Sequence, residues 1–321
     1  MPPRRLPFPF AGTLAVLLVL SPLAGARDKK DAKIENAHRF AVIGHGVTED
    51  GDTRLKEALA DSSEKSLAFV VLNGIKGEKE SCGDRLYQKR RDMIEKAKRP
   101  VIVSLAGSDW TGCRNTLNRT NAIERLNRLR ELLYGEPESL GLEKIGLTRL
   151  SASPRFRTYA ENAHWKVGKV LYATINLPAG NNHYLPAAGR NSEYEDRTVA
   201  NRFWLNRLFA IARSDKAEAV VLFSEGAVRP LYLGSPEGLR GLLRRAPEVK
   251  DGFEATRQQV QARAIKFDGK VLLIDSGDVP GKKPRIEWKG NIGQLSVGAK
   301  AVEVDVTVGK KAEFAVGDAK Q

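Results

Sequence analysis

The chain has 321 residues, 41% of them hydrophobic, and its formal net charge at pH 7 is +14. This length suits one large domain or two small ones. Because the basic residues are spread along the chain and no basic motif is rich in aromatic residues, the sequence argues against a nucleic-acid-binding protein.

The first 26 residues have the pattern of a signal peptide. A basic start, MPPRR, precedes the apolar stretch FAGTLAVLLVLSPLAGA, whose end, Ala24-Gly25-Ala26, fits the small-x-small rule for cleavage. The apolar stretch is shorter than the roughly 20 residues that a membrane-spanning helix needs. We therefore expect export to a periplasmic or secreted location, with no transmembrane segment left after cleavage. Residues 27–37 are expected to form a flexible lead-in to a single domain over residues 38–321.

Three short apolar runs alternate with helical patterns at the start of the expected domain. The runs predict buried strands, and they are RFAVIG (39–44), LAFVVLN (67–73) and VIVSL (101–105). Amphipathic helices are predicted for TRLKEALA, between the first two runs, and for DRLYQKRRDMIEKAKR, which Pro100 ends. Alternating strands and helices at this spacing predict a parallel sheet with helices packed on it.

The remaining elements continue the α/β pattern. Strands are predicted at 170–177, 218–224, 270–275 and 301–308, and a helix is predicted near 252–264. Two stronger amphipathic helices are NAIERLNRLRELLYG and TVANRFWLNRLFAIAR. The first is expected to bury Ile123, Leu126, Leu129 and Leu133, and the second to bury Val199, Phe203, Leu208 and Ile211.

Polar residues follow the predicted strands, where a parallel sheet gathers its functional loops. The candidates for acid–base chemistry are His45, Asp109, Asp275 and Asp278. His45 and Asp109 are also the candidate metal ligands, since imidazole and carboxylate are common metal donors. His45 can equally be a loop histidine bonded to backbone, and Asp275 and Asp278 can equally be turn residues, which aspartate favours.

Other polar loop residues are candidates for binding a ligand, and they are Asn73, Lys76, Ser108, Asn181, Asn182 and His183. Lys76 lies in a glycine-rich loop of the kind that can hold a phosphate, although a solvated lysine fits the pattern as well. A polar turn is the alternative for residues 181–183. Glu49 breaks the dinucleotide fingerprint that begins after the first strand, and no Gly-x-Ser-x-Gly motif surrounds Ser108. Neither a nucleotide cofactor nor a serine hydrolase is predicted.

The two cysteines, Cys82 and Cys113, form an even pair in a chain that we expect to be exported, which suggests a disulfide. Closing a loop of about 30 residues can stabilise a fold by roughly 3 kcal/mol. A metal site or a nucleophilic cysteine is the alternative, and the lack of a Cys-x-x-Cys spacing argues against zinc.

Five segments resemble the calcineurin-like metallophosphoesterase family, and in particular a branch of exported bacterial members. The segments are FAVIGHG, VVLNGIKG, SLAGSDWTGC, LRELLYGEPESLG and VLLIDSGD, and INLPAGNN resembles the same branch. The third loop of that branch typically reads Pro-Gly-Asp-Asn-Glu-Trp-Thr-Asp-Cys, which Trp110, Thr111 and Cys113 match in place. Ile75 and Lys76 match its second loop, Gly-Asp-Ile-Lys. The resemblance spans nearly the whole mature chain and implies an α/β sandwich of two mixed sheets flanked by helices.

The metal ligands of that family do not carry over. Active members hold two metal ions with Asp, Asn and His side chains. The resemblance places His45 at the first Asp, Gly74 at the bridging Asp and Ser108 at the Asn, with Asp109 as a shortened neighbouring acid. The late Gly-His-x-His loop falls on IDSGDV, which has no histidine. Because a bridging carboxylate lets two cations lie about 3.5–4 Å apart, a glycine at that position predicts the loss of the site.

These losses predict a non-hydrolytic family member that acts as a binding or scaffold protein and needs no cofactor. Removing Arg4 and Arg5 with the signal peptide lowers the net charge from +14 to +12. We therefore expect an anionic small molecule or an acidic component of the cell envelope as the partner, and no nucleic acid. Two alternatives are an active phosphoesterase with an atypical site that uses Mn, Fe or Zn, and a structural protein bound to acidic envelope surfaces.

Overall fold

The structure is a computed structural model that describes residues 37–48, 51–188, 191–232, 250–279, 283–309 and 311–317. The predicted signal peptide, and the predicted lead-in apart from Ala37, lie outside the described residues. No helix within these ranges is long and apolar enough to cross a membrane.

The first of two β-sheets has five strands. They are β1 (Ala37–Ile43), β2 (Phe69–Asn73), β3 (Val101–Ser104), β11 (Ala301–Thr307) and β12 (Glu313–Val316). Their order in the sheet is β12-β11-β1-β2-β3. β1, β2 and β3 are parallel, with Val42 opposite Val71 and Val71 opposite Ile102, whereas β11 runs antiparallel to β1. The carboxyl ends of β1, β2 and β3 therefore lie at one edge.

The second sheet has seven strands. They are β4 (Thr148–Arg149), β5 (Ala163–Val167), β6 (Val170–Thr174), β7 (Ala219–Phe223), β8 (Lys270–Asp275), β9 (Glu287–Lys289) and β10 (Ile292–Ser296). Their order is β4-β5-β6-β7-β8-β10-β9, and the central strands β6, β7, β8 and β10 are parallel. β4, β5 and β9 join antiparallel and complete the two sides of the sheet.

Helices cover the outer faces of both sheets. α1 (Asp52–Glu64), α2 (Asp84–Glu95) and α3 (Ala122–Leu133) pack on the first sheet, and α4 (Ser192–Ser214) and α5 (Glu254–Ala264) pack on the second. The inner faces share one core, whose aromatic rings are Phe40, Phe69, Trp165, Tyr172 and Phe223, with contacting centroids 4.8 to 6.4 Å apart. The expected α/β architecture, two mixed sheets flanked by helices, is confirmed at this level.

Two predicted helix faces are wrong in part. On α3, Ile123 is 49% exposed, and Ala122 takes its place on the buried side. On α4, Val199 and Phe203 are 37% and 39% exposed. Leu208 is buried as predicted, and the other apolar residues that α4 buries include Ala200, Trp204, Leu205, Phe209 and Ala212. The prediction failed on α4 because its buried face also holds Arg197 and Asn201, so hydrophobicity alone does not mark that face.

A disulfide joins Cys82 and Cys113, as predicted, with their Cα atoms 5.8 Å apart. It ties the loop after β2 to the loop after β3, two loops whose backbones also share hydrogen bonds with Asp109. Disulfides persist in oxidising compartments, so the bond agrees with the predicted export.

Removing this disulfide is expected to lower the free energy of unfolding by about 3 kcal/mol, because the unfolded chain then gains the freedom of an open loop. Urea unfolding of a Cys82→Ser/Cys113→Ser double variant checks this against the oxidised protein. The reduced wild-type protein is the matched control, since it lacks the bond but keeps both sulfur atoms. Equal midpoints for all three proteins would show that the bond does not constrain the unfolded chain.

His38 makes stability depend on pH. Its Nε2 lies 2.5 Å from the hydroxyl oxygen of Tyr172 between the sheets, and burial lowers the pKa of His38 to about 4. Because the unfolded chain takes up this proton at a pKa of about 6.5, stability is lost as pH falls from about 6.5 to 4. The loss from His38 is about 3 kcal/mol when complete.

We expect the variant His38→Gln to gain stability relative to wild type as pH falls over this window. The measurement is urea unfolding of both proteins at pH 7 and pH 4. Asp275, whose pKa burial raises to about 6, changes stability in the opposite direction. It is present in both proteins and cancels in the comparison. A constant difference between the two proteins would contradict the prediction.

Candidate functional site

A polar cleft of about 1030 Å³ opens where the carboxyl ends of the parallel strands meet. The loops after β1, β3, β6, β7 and β8 form its walls. They contribute, among others, His45, Ser108, Ala179, Glu225 and Ser276. Loops that follow parallel strands emerge on one side of a sheet, and ligands of α/β proteins bind there. The cleft is therefore the candidate functional site.

Asp109 is fully buried beneath this cleft. Its Oδ1 accepts hydrogen bonds from the backbone N–H groups of Ile75 and Lys76 at 2.9 and 3.1 Å, and its Oδ2 accepts one from Ala106 at 2.8 Å. Burial raises the pKa of the Asp109 carboxyl, although these hydrogen bonds and the nearby His45 and Lys76 oppose the shift. Both oxygens are engaged by backbone, so Asp109 holds two loops together and does not face a ligand.

Glu225 joins the loops of the two sheets. Its Oε2 accepts hydrogen bonds from the backbone N–H groups of Gly107, at 2.6 Å, and Ala179, at 2.7 Å. Burial raises the pKa of the Glu225 carboxyl. The sequence-based candidates do not include this residue, although it lies just after β7 at the expected edge. Its position directly after a buried strand was the available signal.

His45 fills the space between the first and second loops. Its Nε2 is 2.6 Å from Ser108 Oγ and 3.1 Å from the carbonyl oxygen of Lys76, and its Nδ1 is 3.7 Å from Glu225 Oε1. A Cβ atom added at Gly74 would lie 2.7 Å from Cδ2 of the His45 ring. The position at which the resemblance places a bridging Asp therefore has no room for a side chain while His45 occupies this place.

One arrangement of protons satisfies His45 and its neighbours. Ser108 Oγ lies 2.8 Å from the carbonyl oxygen of Lys76, which can only accept, so the hydroxyl donates to it. Nε2 of His45 then donates to Ser108 Oγ. Nδ1 lies 3.7 Å from Glu225 Oε1, beyond hydrogen-bond distance. With its proton on Nε2, His45 presents no lone pair to Ser108.

The donors at this edge do not fit the two-metal site that the resemblance implies. Gly74 has no side chain, the oxygens of Asp109 are bound by backbone, and Nε2 of His45 is hydrogen-bonded to Ser108. Within the described ranges, no three His, Cys, Asp or Glu side chains are grouped so that they could hold a metal ion.

A catalytic triad would place a serine, a histidine and an acidic residue side by side, and Ser108, His45 and Glu225 are neighbours in that order in space. Their geometry does not support a triad. The 3.7 Å between His45 and Glu225 is too long for a hydrogen bond. The N–H groups beside Ser108 are also occupied, since Gly107 donates to Glu225 and Asp109 donates to the carbonyl oxygen of Ala106. An oxyanion hole needs donors that are available at the reacting centre.

The two late aspartates have different places. Asp275 is buried, and its carboxylate accepts hydrogen bonds from Ser296 Oγ at 2.8 Å, Gly277 N at 2.9 Å and Gln294 Nε2 at 3.1 Å. Asp278 is exposed and is not among the residues that line the cleft. Asp275 therefore stabilises the turn after β8, which is the role of a turn residue that the sequence left open as the alternative.

Asn73 and Lys76 are buried beneath the cleft and do not line it. The side-chain amide of Asn73 donates to Ser276 Oγ at 2.9 Å. Nζ of Lys76 donates to the carbonyl oxygens of Ser108, at 2.6 Å, and Gly77, at 2.8 Å. Burial lowers the pKa of Lys76. Both side chains therefore fix loop backbone beneath the cleft.

Residues 180–183 form a left-handed turn in one wall of the cleft. Their φ angles are +67°, +60°, +54° and +53°, and only the first residue is glycine. Asn181 and His183 line the cleft, whereas Asn182 is buried. Hydrogen bonds between Asn181 and Gly252 N, at 2.7 Å, and between Asn182 and Gly252 O, at 2.9 Å, hold the turn. Strained backbone of this kind clusters at functional sites.

The charged side chains that line the cleft are of both signs. Arg114, Arg229 and Arg257 line it, together with Glu78, Glu225 and Asp251. Asp251 is paired with Arg257 at 2.6 Å, and Glu225 is bound by two backbone N–H groups. The positive charge of Arg229 acts on Asp275 and opposes the rise in the pKa of Asp275 that burial causes. Arg114 and Arg229 are therefore the side chains of the wall that can contact an anion.

Comparison with known proteins leaves the family of this chain open. No family profile and no curated protein matches it. Among solved structures, the NitN amidase from Neterenkonia sp. AN1 is similar at 11% sequence identity and a TM-score of 0.30, over 88% of this chain and 93% of that chain. A TM-score this low carries no argument about fold or function. The resemblance to the calcineurin-like metallophosphoesterases stays a prediction.

Proposed function

We propose that this chain is an exported metallophosphoesterase-like protein that binds a small anionic ligand in the cleft and does not hydrolyse it. One observation carries the proposal. The acidic groups at the strand ends, Asp109 and Glu225, are bound by backbone N–H groups, while the cleft beside them remains open. A two-metal hydrolase needs side chains that are free to coordinate its ions, whereas a binding protein needs only the cleft and its polar wall.

The charge of the wall supports an anionic ligand. Arg114 and Arg229 contribute positive charge to the cleft, and the chain carries +12 without the predicted signal peptide. A surface charge of this sign raises the local concentration of anions. The left-handed turn at residues 180–183 also supports the cleft as the binding site, because strained backbone lies beside it.

The test uses p-nitrophenyl phosphate, which is both a small anion and a phosphoesterase substrate. We expect the protein's midpoint of thermal unfolding to rise with the concentration of this compound. We expect no release of nitrophenolate in the presence of Mn²⁺ or Zn²⁺. The variant Arg229→Glu should lose the thermal shift. Arg202→Glu, which makes the same change of charge at an exposed position of α4, should keep it.

Other outcomes would contradict the proposal in different ways. Metal-dependent release of nitrophenolate would establish the phosphoesterase alternative. A thermal shift that Arg229→Glu leaves unchanged would place anion binding outside the cleft. An alkyl fluorophosphonate adduct on Ser108, detected by peptide mass spectrometry, would show that Ser108 is a nucleophile and that the assigned protons are wrong. We expect no such adduct.

A further inference from the structure

A second cavity, of about 860 Å³, lies between α1 and α2 on the outer face of the first sheet. It shares no lining residue with the cleft. One stripe of each helix faces it, since the lining residues recur three and four positions apart along both helices. Its floor is apolar and includes Leu59, Ala60, Met93 and Ala97. We refer to this cavity as the α1–α2 groove.

Positive charge surrounds this apolar floor. The groove is lined by Lys56, Arg85, Lys89 and Lys96, against the acidic residues Asp52 and Asp92. Asp52 is bound by Lys89 and by Arg90, which lies 3.0 Å away. Asp92 accepts a hydrogen bond from Gln88 at 2.8 Å.

Three of the cations are left without an acidic partner. No ion pair forms at Lys56, Arg85 or Lys96 within the part of the chain that the structure describes. The groove therefore combines an apolar floor with uncompensated positive charge at its rim.

The dimensions of the groove suit a small molecule. Along α1 its lining runs from Asp52 to Ser63, which corresponds to about 17 Å at the helical rise. Its volume lies within the range of about 300–1000 Å³ that is usual for small-molecule sites.

We propose that the α1–α2 groove binds a free single-chain amphiphile with an anionic headgroup, such as a long-chain carboxylic acid. The apolar chain lies along Leu59, Ala60 and Met93, and the carboxylate meets the lysine and arginine side chains at the rim. Burial of the chain supplies the affinity, and the unpaired cations select the charge of the headgroup. This site is separate from the cleft and does not depend on its proposed function.

The experiment is calorimetric titration of the whole protein with dodecanoate below its critical micelle concentration. We expect one molecule to bind, and dodecyltrimethylammonium, which has the same chain and the opposite charge, to bind at least about tenfold more weakly. Ala60→Glu places a carboxylate on the floor at an exposed helix position and should lower the affinity for dodecanoate about tenfold or more.

Charge variants separate this site from other basic surfaces. Lys56→Glu/Lys96→Glu should reverse the preference between the two amphiphiles. Lys289→Glu, at an exposed position of β9 in the other sheet, should leave dodecanoate binding unchanged. Arg229→Glu should also leave it unchanged, so that failure of the cleft proposal and failure of this one remain distinguishable.

Three results would overturn the proposal. The first is binding of both amphiphiles with equal affinity. The second is an unchanged affinity for dodecanoate in Ala60→Glu. The third is a response only to anionic phospholipid vesicles, which would assign the surface to a membrane instead of a free acid.

Discussion

Replacing Asp109 with alanine is expected to lower the free energy of unfolding by about 5 kcal/mol. Three buried backbone N–H groups, those of Ile75, Lys76 and Ala106, would lose their acceptor, and each unsatisfied donor costs about 1–3 kcal/mol. The buried ammonium of Lys76 would also lose a nearby negative charge, and an uncompensated buried charge is destabilising. Chemical unfolding of the variant measures the loss.

Two further variants test whether the cause is the hydrogen bonds. Asp109→Asn keeps one acceptor oxygen for two of the N–H groups and should lose only about 2 kcal/mol. Asp278→Ala removes a carboxylate of the same type at an exposed position and should change stability by less than about 0.5 kcal/mol. If Asp109→Ala unfolded like wild type but no longer bound p-nitrophenyl phosphate, Asp109 would be a ligand-binding group after all.

The strands that hydrophobic runs could predict are those buried on both faces. β2, β3 and β7 are buried along their whole length, and each corresponds to a run in the sequence. β5, β9 and β12 are partly exposed strands near or at the sheet margins, and no run marks them. Strands that face solvent on one side carry polar residues there, so their membership of a sheet depends on neighbours distant in sequence.

The place of the site could be predicted, but the direction of its side chains could not. The predicted strand order, together with the loops that follow the strands, indicates the edge of the sheets at which the cleft opens. Whether an acidic side chain points into the cleft or back to the backbone depends on contacts over long sequence separations. Glu225 meets Gly107 across 118 positions, and His45 meets Ser108 across 63. Neither contact leaves a local pattern in the sequence.

Three positions at which the sequence differs from the metallophosphoesterase pattern contact one another in the structure: His45, Gly74 and Ser108. His45 lies where its ring would collide with a side chain at Gly74. The same ring binds Ser108, and Ser108 binds the backbone of the second loop. An aspartate substituted at Gly74 would therefore collide with the His45 ring, so a substitution at Gly74 tests whether His45 leaves room for a side chain there.

Replacing Gly74 with alanine is expected to lower the free energy of unfolding by about 4 kcal/mol. The backbone at Gly74 has a φ of +76°, and an added Cβ would come within 2.6 Å of the Cβ of Ala106 and 2.7 Å of the His45 ring. The left-handed conformation costs about 1–2 kcal/mol for a residue with a side chain, and overpacking adds about 1–3 kcal/mol. Chemical unfolding measures the sum.

Two glycines of the same cleft region separate these costs. Gly180 has a φ of +67° and no atom within 4 Å of an added Cβ, so Gly180→Ala should show the conformational cost alone. Gly112 has neither restriction, so Gly112→Ala should be nearly neutral. In a double-mutant cycle, His45→Ala should recover part of the loss in Gly74→Ala, because the two side chains would compete for the same space. If Gly74→Ala were as stable as Gly112→Ala, the second loop could move aside, and His45 would not prevent a side chain at position 74.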